Sequence, residues 1–118
     1  MHYLTDSFID KMKAMSDLTR LRIFWVLHRA DSELCVCEII NSIEENQYNV
    51  SRHLKILKYA GLVKERKQGR FVYYSLSKTG EKTHKILIDL ISTVSGEILS
   101  RDIKRLKKQL SLRKKLKI

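Results

Sequence analysis

A chain of 118 residues, 43% of them hydrophobic, suffices for one compact domain with one core and excludes a second domain of ordinary size. No apolar run approaches the ~20 residues of a membrane helix. Met1-His2-Tyr3-Leu4-Thr5-Asp6 lacks the basic-then-apolar order of a secretory signal, so a cytoplasmic protein with no membrane contact is expected. The formal net charge of +11 is unevenly spread: residues 1–50 carry five basic and eight acidic side chains, 51–76 seven and one, 77–100 three and three, and 101–118 nine and one. Two positive blocks of this kind attract polyanions, nucleic acid first, although the terminal block read alone is better taken as a solvated surface. Two cysteines, Cys35 and Cys37, are too few for a disulfide scaffold and are expected as free thiols in a reducing compartment.

Phe8, Met12 and Met15, spaced four and three, predict an amphipathic helix over 5–15. Ser16-Asp17 offers an N-cap for a helix over 18–29 with Leu21, Phe24 and Leu27 on one face. After a turn at Ala30-Asp31-Ser32, an extended stretch Glu33-Leu34-Cys35-Val36 leads into a short helix ending near Ile43. Asn46 is placed to cap a helix over 47–59 whose buried stripe is Val50, Leu54 and Leu57, and Gly61 ends it. Residues 62–76, β-branched or aromatic around Lys67-Gln68-Gly69-Arg70, read as a hairpin. Beyond residue 78 the stripe Leu87, Ile91, Val94, Ile98 passes one residue out of step into Leu99, Ile103, Leu106, Leu110, which predicts either one helix shifted at Gly96 or two helices.

Two short helices around Asn46 followed by a basic hairpin make a winged helix-turn-helix, so the expected fold is mainly α with a small β-hairpin. With Val50, Leu54 and Leu57 buried, the opposite face of the 47–59 helix shows Gln47, Tyr48, Asn49, Ser51, Arg52 and Lys55. Such a helix enters the major groove by its N-terminal end. There Arg52 suits guanine and Gln47 suits adenine, at ~1–3 kcal/mol of discrimination each. Lys55 and Lys58 suit phosphates, and Lys67, Gln68 and Arg70 at the hairpin tip would flank the duplex and reach a phosphate or the minor groove. His53 is expected to pack beside Leu54 and Leu57. Of Tyr73 and Tyr74, one should be core and the other cover the wing. Lone His28 and His84 are expected as surface or capping residues. No phosphate-cradling glycine loop, nucleophile elbow or paired acid–base set points to an enzyme.

The segments Met15–Ile23, Glu33-Leu34-Cys35-Val36-Cys37-Glu38-Ile39, Val50–Leu57 and Arg66–Leu76 together resemble the ArsR/SmtB family of metal-responsive repressors over about residues 8–77. The resemblance implies a homodimer joined through its first and last helices, binding a palindromic operator without any cofactor and released by an inducer. Residues 5–77 would then be helix-turn-helix plus wing, and 78–118 a C-terminal helical dimerisation region with a basic tail. The apolar stripes at 8–15 and 87–98 are compatible with that interface, and equally with an intrachain core.

Glu-Leu-Cys-Val-Cys-Glu resembles the arsenic-sensing site of that family, which makes Cys35 and Cys37 the expected ligands of arsenite or antimonite. Thiolates are the favoured donors for soft ions, and a helix N-terminus stabilises them. Arsenic-type relatives carry a third cysteine where Ile40 stands here, so the third donor is left to water, a small thiol or His2, with Glu38 a further oxygen candidate. The same Cys-x-Cys motif serves cadmium- and lead-sensing relatives together with N-terminal cysteines that this chain lacks, and after His84 no histidine remains for a zinc site in the last helix. Another soft metal, thiol redox state, or a non-sensing nucleic-acid-binding module are the alternatives.

Overall fold

The computed structural model describes residues 2–78, 81–93 and 96–116; the side chains of 2–6, 81 and 114–116, including that of the candidate ligand His2, lie outside the described set, as does Val94. Six helices and three strands follow in the order α1 (His2–Ala14), α2 (Leu18–Ala30), β1 (Leu34–Cys35), α3 (Val36–Ile43), α4 (Gln47–Tyr59), β2 (Val63–Gln68), β3 (Phe71–Leu76), α5 (Glu81–Ser92) and α6 (Glu97–Leu116). This is the expected winged helix-turn-helix, with α3 and α4 as the two helices and β2–β3 as the wing.

Local chemistry explains the boundaries. The Asp17 carboxylate accepts from the Arg20 N–H at 3.0 Å and starts α2. Asn46 Oδ1 accepts from the Asn49 N–H at 2.8 Å and starts α4, satisfying a donor that the first turn leaves orphaned. Asp31 (φ 50°) and Glu44 (φ 53°) close α2 and α3 in the left-handed region, a role in which glycine is commoner. At the wing tip Gly69 takes φ 61° between Gln68 and Arg70, where a side chain would be strained. A break around Gly96 decides for two helices, α5 and α6, over one shifted helix.

The sheet has a third strand that the hairpin reading omits. β1 pairs antiparallel with β3 (Leu34 opposite Tyr74, Cys35 opposite Tyr73), giving the order β1-β3-β2. Two residues are too short for an alternation signal, and only the partner strand makes them a strand. Ile23, Phe24, Val26 and Leu27 of α2, Ile39 and Ile43 of α3, and Val50, Leu54 and Leu57 of α4 form the centre of the core. Tyr74 is the core tyrosine, its hydroxyl donating to Glu65 at 2.6 Å; Tyr73 lies on the wing under the Arg66 guanidinium, 4.8 Å from the ring centroid. His84 is not the surface residue expected: it is buried, edge-on to Phe24 at 5.7 Å between ring centroids.

The C-terminal stripes divide in a way that periodicity does not reveal. Leu87 and Ile91 are 5% and 4% exposed, turned into the chain's own core, whereas Ile86 and Leu90 on the same helix are 67% and 57% exposed. In α1, Phe8, Ile9 and Met12 are also exposed. The exposed apolar side chains that α1 and α5 present are therefore Phe8, Ile9, Met12, Ile86 and Leu90, not the Leu87/Ile91 stripe. α6 runs along α2 and antiparallel to α3, burying Ile103 and Leu106. Its polar clamp is Asp102, 0% exposed, which accepts from Arg22 at 2.8 and 2.9 Å and from Arg105 at 2.8 Å. The two arginines also donate to the carbonyls that end α3, Arg22 to Ile43 at 2.6 Å and Arg105 to Ser42 at 2.7 Å.

Candidate nucleic-acid interface and cysteine site

The polar edge of α4 follows from its burial stripe. Burying Val50, Leu54 and Leu57 turns Gln47, Tyr48, Arg52 and Lys55 to solvent, with Tyr48 74% exposed. Asn49 and Ser51 are half-buried at the margins, and Asn49 donates to Glu45 at 3.3 Å. Lys67, Gln68 and Arg70 are exposed at the wing tip. Lys58 departs from the expected phosphate-binding set, because its ammonium is 3.2 Å from the Glu65 carboxylate and anchors α4 to the wing.

His53 is buried, as expected of a packed residue, and sits between two guanidinium groups. Arg20 Nη1 is 3.1 Å from its Nδ1, and Arg52 Nη2 is 3.3 Å from its Nε2. A neutral imidazole accepts at one nitrogen only. With Arg20 holding Nδ1 and also donating to the Ala14 carbonyl at 2.6 Å, Arg52 is the arginine left to swing outward. Burial first, with Arg52 and Arg20, pushes the His53 pKa below its ordinary value against the pull of Asp17. A histidine pKa depressed by folding means that the unfolded chain takes up the proton more readily. Stability is therefore complete above the ordinary histidine pKa of about 6.5 and declines as pH falls through that value toward the folded one. Thermal melts between about pH 7 and 5 should show this decline, and His53→Gln should flatten it; an unchanged slope in the variant would contradict the assignment.

The cysteine pair lies one helix away. Cys35 ends β1 and caps α3 with extended backbone (φ −73°, ψ 158°), and Cys37 stands in the first turn. That bend brings the Cα atoms to 5.4 Å, and the two sulfurs are joined as a disulfide, which corrects the expectation of free thiols. The physical reason is the cap: extended backbone at Cys35 followed directly by helix turns both side chains to one side. Cys35 is buried and Cys37 exposed, so the pair opens to solvent at one sulfur.

Glu38 does not stand free as an oxygen donor. Its Oε1 accepts from the Cys35 N–H at 2.9 Å, closing the start of α3, and Arg113 of α6 donates to both carboxylate oxygens, Nε to Oε2 at 2.9 Å and Nη2 to Oε1. Ile40, one turn beyond Cys37, packs against the core. Among the described residues no group of three or more His, Cys, Asp or Glu is set to hold a metal ion.

Sequence reasoning missed what surrounds the pair. Arg113 also donates to the Glu33 carbonyl at 3.1 Å. The Glu33 carboxylate is gripped by Arg66 of the wing at 2.8–3.0 Å, which holds it below the usual carboxylate range, and Arg66 donates onward to Gln68 at 2.7 Å. Through these contacts and the Cys35–Tyr73 pairing, the cysteine pair is joined to the wing as well as to α3. Residues 33, 66 and 113 are too far apart in sequence for spacing to connect them.

The profile described as "Bacterial regulatory protein, arsR family" matches residues 17–65, from the α2 cap into the wing. A cadmium resistance transcriptional regulatory protein CadC homolog of Staphylococcus aureus is 50% identical over 64 residues, 54% of this chain and 52% of that protein, so the match spans about half of that relative's length. An arsenic resistance transcriptional regulator of Pseudomonas putida is 35% identical over 94 residues, covering 80% of this chain and 73% of that protein. The homodimeric winged helix-turn-helix DNA-binding domain of a possible ArsR-family regulator from Mycobacterium bovis is similar in structure, with a TM-score of 0.66 and 29% identity over 78% of this chain and 81% of that one. No described helix is long and apolar enough to cross a membrane. The chain belongs to the arsR family of bacterial regulatory proteins, which are DNA-binding transcriptional regulators and not enzymes.

Proposed function

We propose that this chain is a cytoplasmic homodimeric repressor that binds a palindromic DNA operator and is released when Cys35 and Cys37, as thiolates, take a soft metal or metalloid ion, arsenite or antimonite first. The observation that carries the reading is the cysteine pair capping α3, one helix before the exposed polar edge of α4. An ion held by both sulfurs requires the bend at Cys35 to adjust. α3 packs on α4, so the adjustment reaches Gln47, Ser51 and Arg52, and through β1 and Glu33 it reaches the wing as well. The homodimer is supported by the exposed Phe8, Ile9, Met12, Ile86 and Leu90, which a second copy would cover, and by the homodimeric relative. DNA contact falls to Gln47, Tyr48, Asn49, Ser51, Arg52, Lys55, Lys67, Gln68 and Arg70. The third donor to a trivalent ion falls to an external thiol, water or His2, since Glu38 is engaged by Arg113.

The test is operator binding by the reduced protein, titrated with arsenite, antimonite and cadmium. Wild type should be released, and Cys35→Ser and Cys37→Ser should stay bound at concentrations that strip wild type. Release that survives both substitutions overturns the reading. The closed Cys35–Cys37 bond supports a second reading, release by oxidation. A thiol oxidant that releases the protein without any metal, reversed by dithiothreitol, would select it.

A further inference from the structure

A cleft of about 600 Å³, which no residue of α4 lines, opens between the end of α2, the root of the wing and α5. Its volume falls within the ~300–1,000 Å³ usual for small-molecule sites. We propose that it is a second binding site, independent of the cysteines, for a small organic acid: a carboxylate carried on an apolar body.

The wall has the two parts such a ligand needs. Leu27, Leu76 and Ile88 supply apolar surface continuous with the core. Lys64, Lys78 and Lys85 stand around it, and none of the three enters an ion pair among the described residues. Among the described residues two acids also line the cleft. Glu33 is already neutralised by its two-pronged contact with Arg66, which leaves Asp31 against three lysines. The local balance therefore favours an anion.

Ser75 is the independent observation. It lies directly opposite Lys64 in the β2–β3 ladder, so both side chains project from the same face of the sheet into this wall. Its hydroxyl is buried and has no hydrogen-bond partner among the described residues. A buried hydroxyl left unsatisfied is destabilising, and a carboxylate oxygen beside Lys64 would satisfy it. The site also stays open in the expected dimer. On α5 the cleft is lined by His84, Lys85 and Ile88, while the exposed apolar pair is Ile86 and Leu90 on the opposite face. Glu33 connects the cleft to the wing through Arg66, so an occupant bears on the element that flanks DNA.

Calorimetric titration of the full chain with octanoate, 1-octanol and octylammonium tests the assignment. Octanoate is expected to bind saturably, one per chain, with a Kd of about 1 mM or tighter, and at least ~10-fold more tightly than the other two. Lys64→Ala with Lys85→Ala should weaken octanoate ~10-fold while leaving octanol unchanged. Both lysines are surface residues whose loss the fold tolerates, and an unchanged melting temperature checks this. Ile88→Trp should fill the cleft and abolish binding of all three. The Cys35→Ser, Cys37→Ser double variant should bind octanoate as wild type does, which separates this site from the cysteine site. No saturable binding, equal binding of the three probes, or octanoate affinity indifferent to the lysines overturns the proposal.

Discussion

Asp102→Ala should destabilise the protein by about 3 kcal/mol, read as a lower denaturant midpoint and a melting temperature lower by roughly 10–20 °C. The carboxylate is fully buried and holds two guanidinium groups, each of which also caps a carbonyl at the end of α3. Removing it leaves Arg22 and Arg105 facing each other across an empty site. Breaking a buried pair from one side commonly costs ~3–5 kcal/mol; the lower end applies because both arginines retain some contact with solvent. The same reasoning predicts rescue. Replacing all three by apolar residues of similar volume (Arg22→Met, Asp102→Leu, Arg105→Met) removes the stranded charges along with their partner and should recover most of the loss. Protein concentration must be held constant, since a dimer's stability depends on it. A loss below about 1 kcal/mol in the single variant would mean that the apolar contacts of α6 and its Arg113–Glu38 pair, not the Asp102 clamp, hold the helix in place.

The second large effect is on DNA. Arg52→Ala should weaken operator binding by ~1–3 kcal/mol per half-site, hence ~2–6 kcal/mol for a homodimer on a palindrome, roughly 30-fold to 10⁴-fold. Binding to random-sequence duplex should change little, because a base-edge contact contributes to discrimination and a phosphate contact does not. Lys67→Ala is the contrast: it should weaken all sequences alike and lower the salt slope by about one per protomer. The structure makes Arg52 the sharper probe. It is exposed, and its 3.3 Å contact with His53 competes with a better one from Arg20, so the side chain is free to reorient. Equal losses on operator and random DNA would make Arg52 a phosphate contact and move base readout to Gln47 or Ser51.

Residues that act through local periodicity were legible in advance. α4 runs from Gln47 to Tyr59 as its apolar stripe and its Asn46 cap require, and the wing turns at Gly69 because only there does the hairpin need a left-handed residue. The exposure of Gln47, Arg52, Lys55, Lys67 and Arg70 follows from the same stripes. Elsewhere a local pattern admits two partners and only the fold chooses. Leu87 and Ile91 form a stripe fit for an interface or for a core, and packing of α5 on α2 of the same chain buries them, leaving Ile86 and Leu90 outside. Lys58 has the charge for a phosphate, but Glu65 reaches it first.

What the sequence by itself determined is therefore the helix-turn-helix with its wing, the cysteine pair at a helix start, and the face that meets solvent, because caps, glycine turns and 3.6-residue stripes act between near neighbours. Only the tertiary structure decided that α6 is clamped onto α3 by a buried Asp102, that Glu38 belongs to Arg113, that β1 stitches Cys35 to the wing, and that an orphan hydroxyl and three lysines share one cleft. These contacts join residues up to 80 positions apart, and their energies come from burial and charge pairing that exist only once the chain has closed on itself.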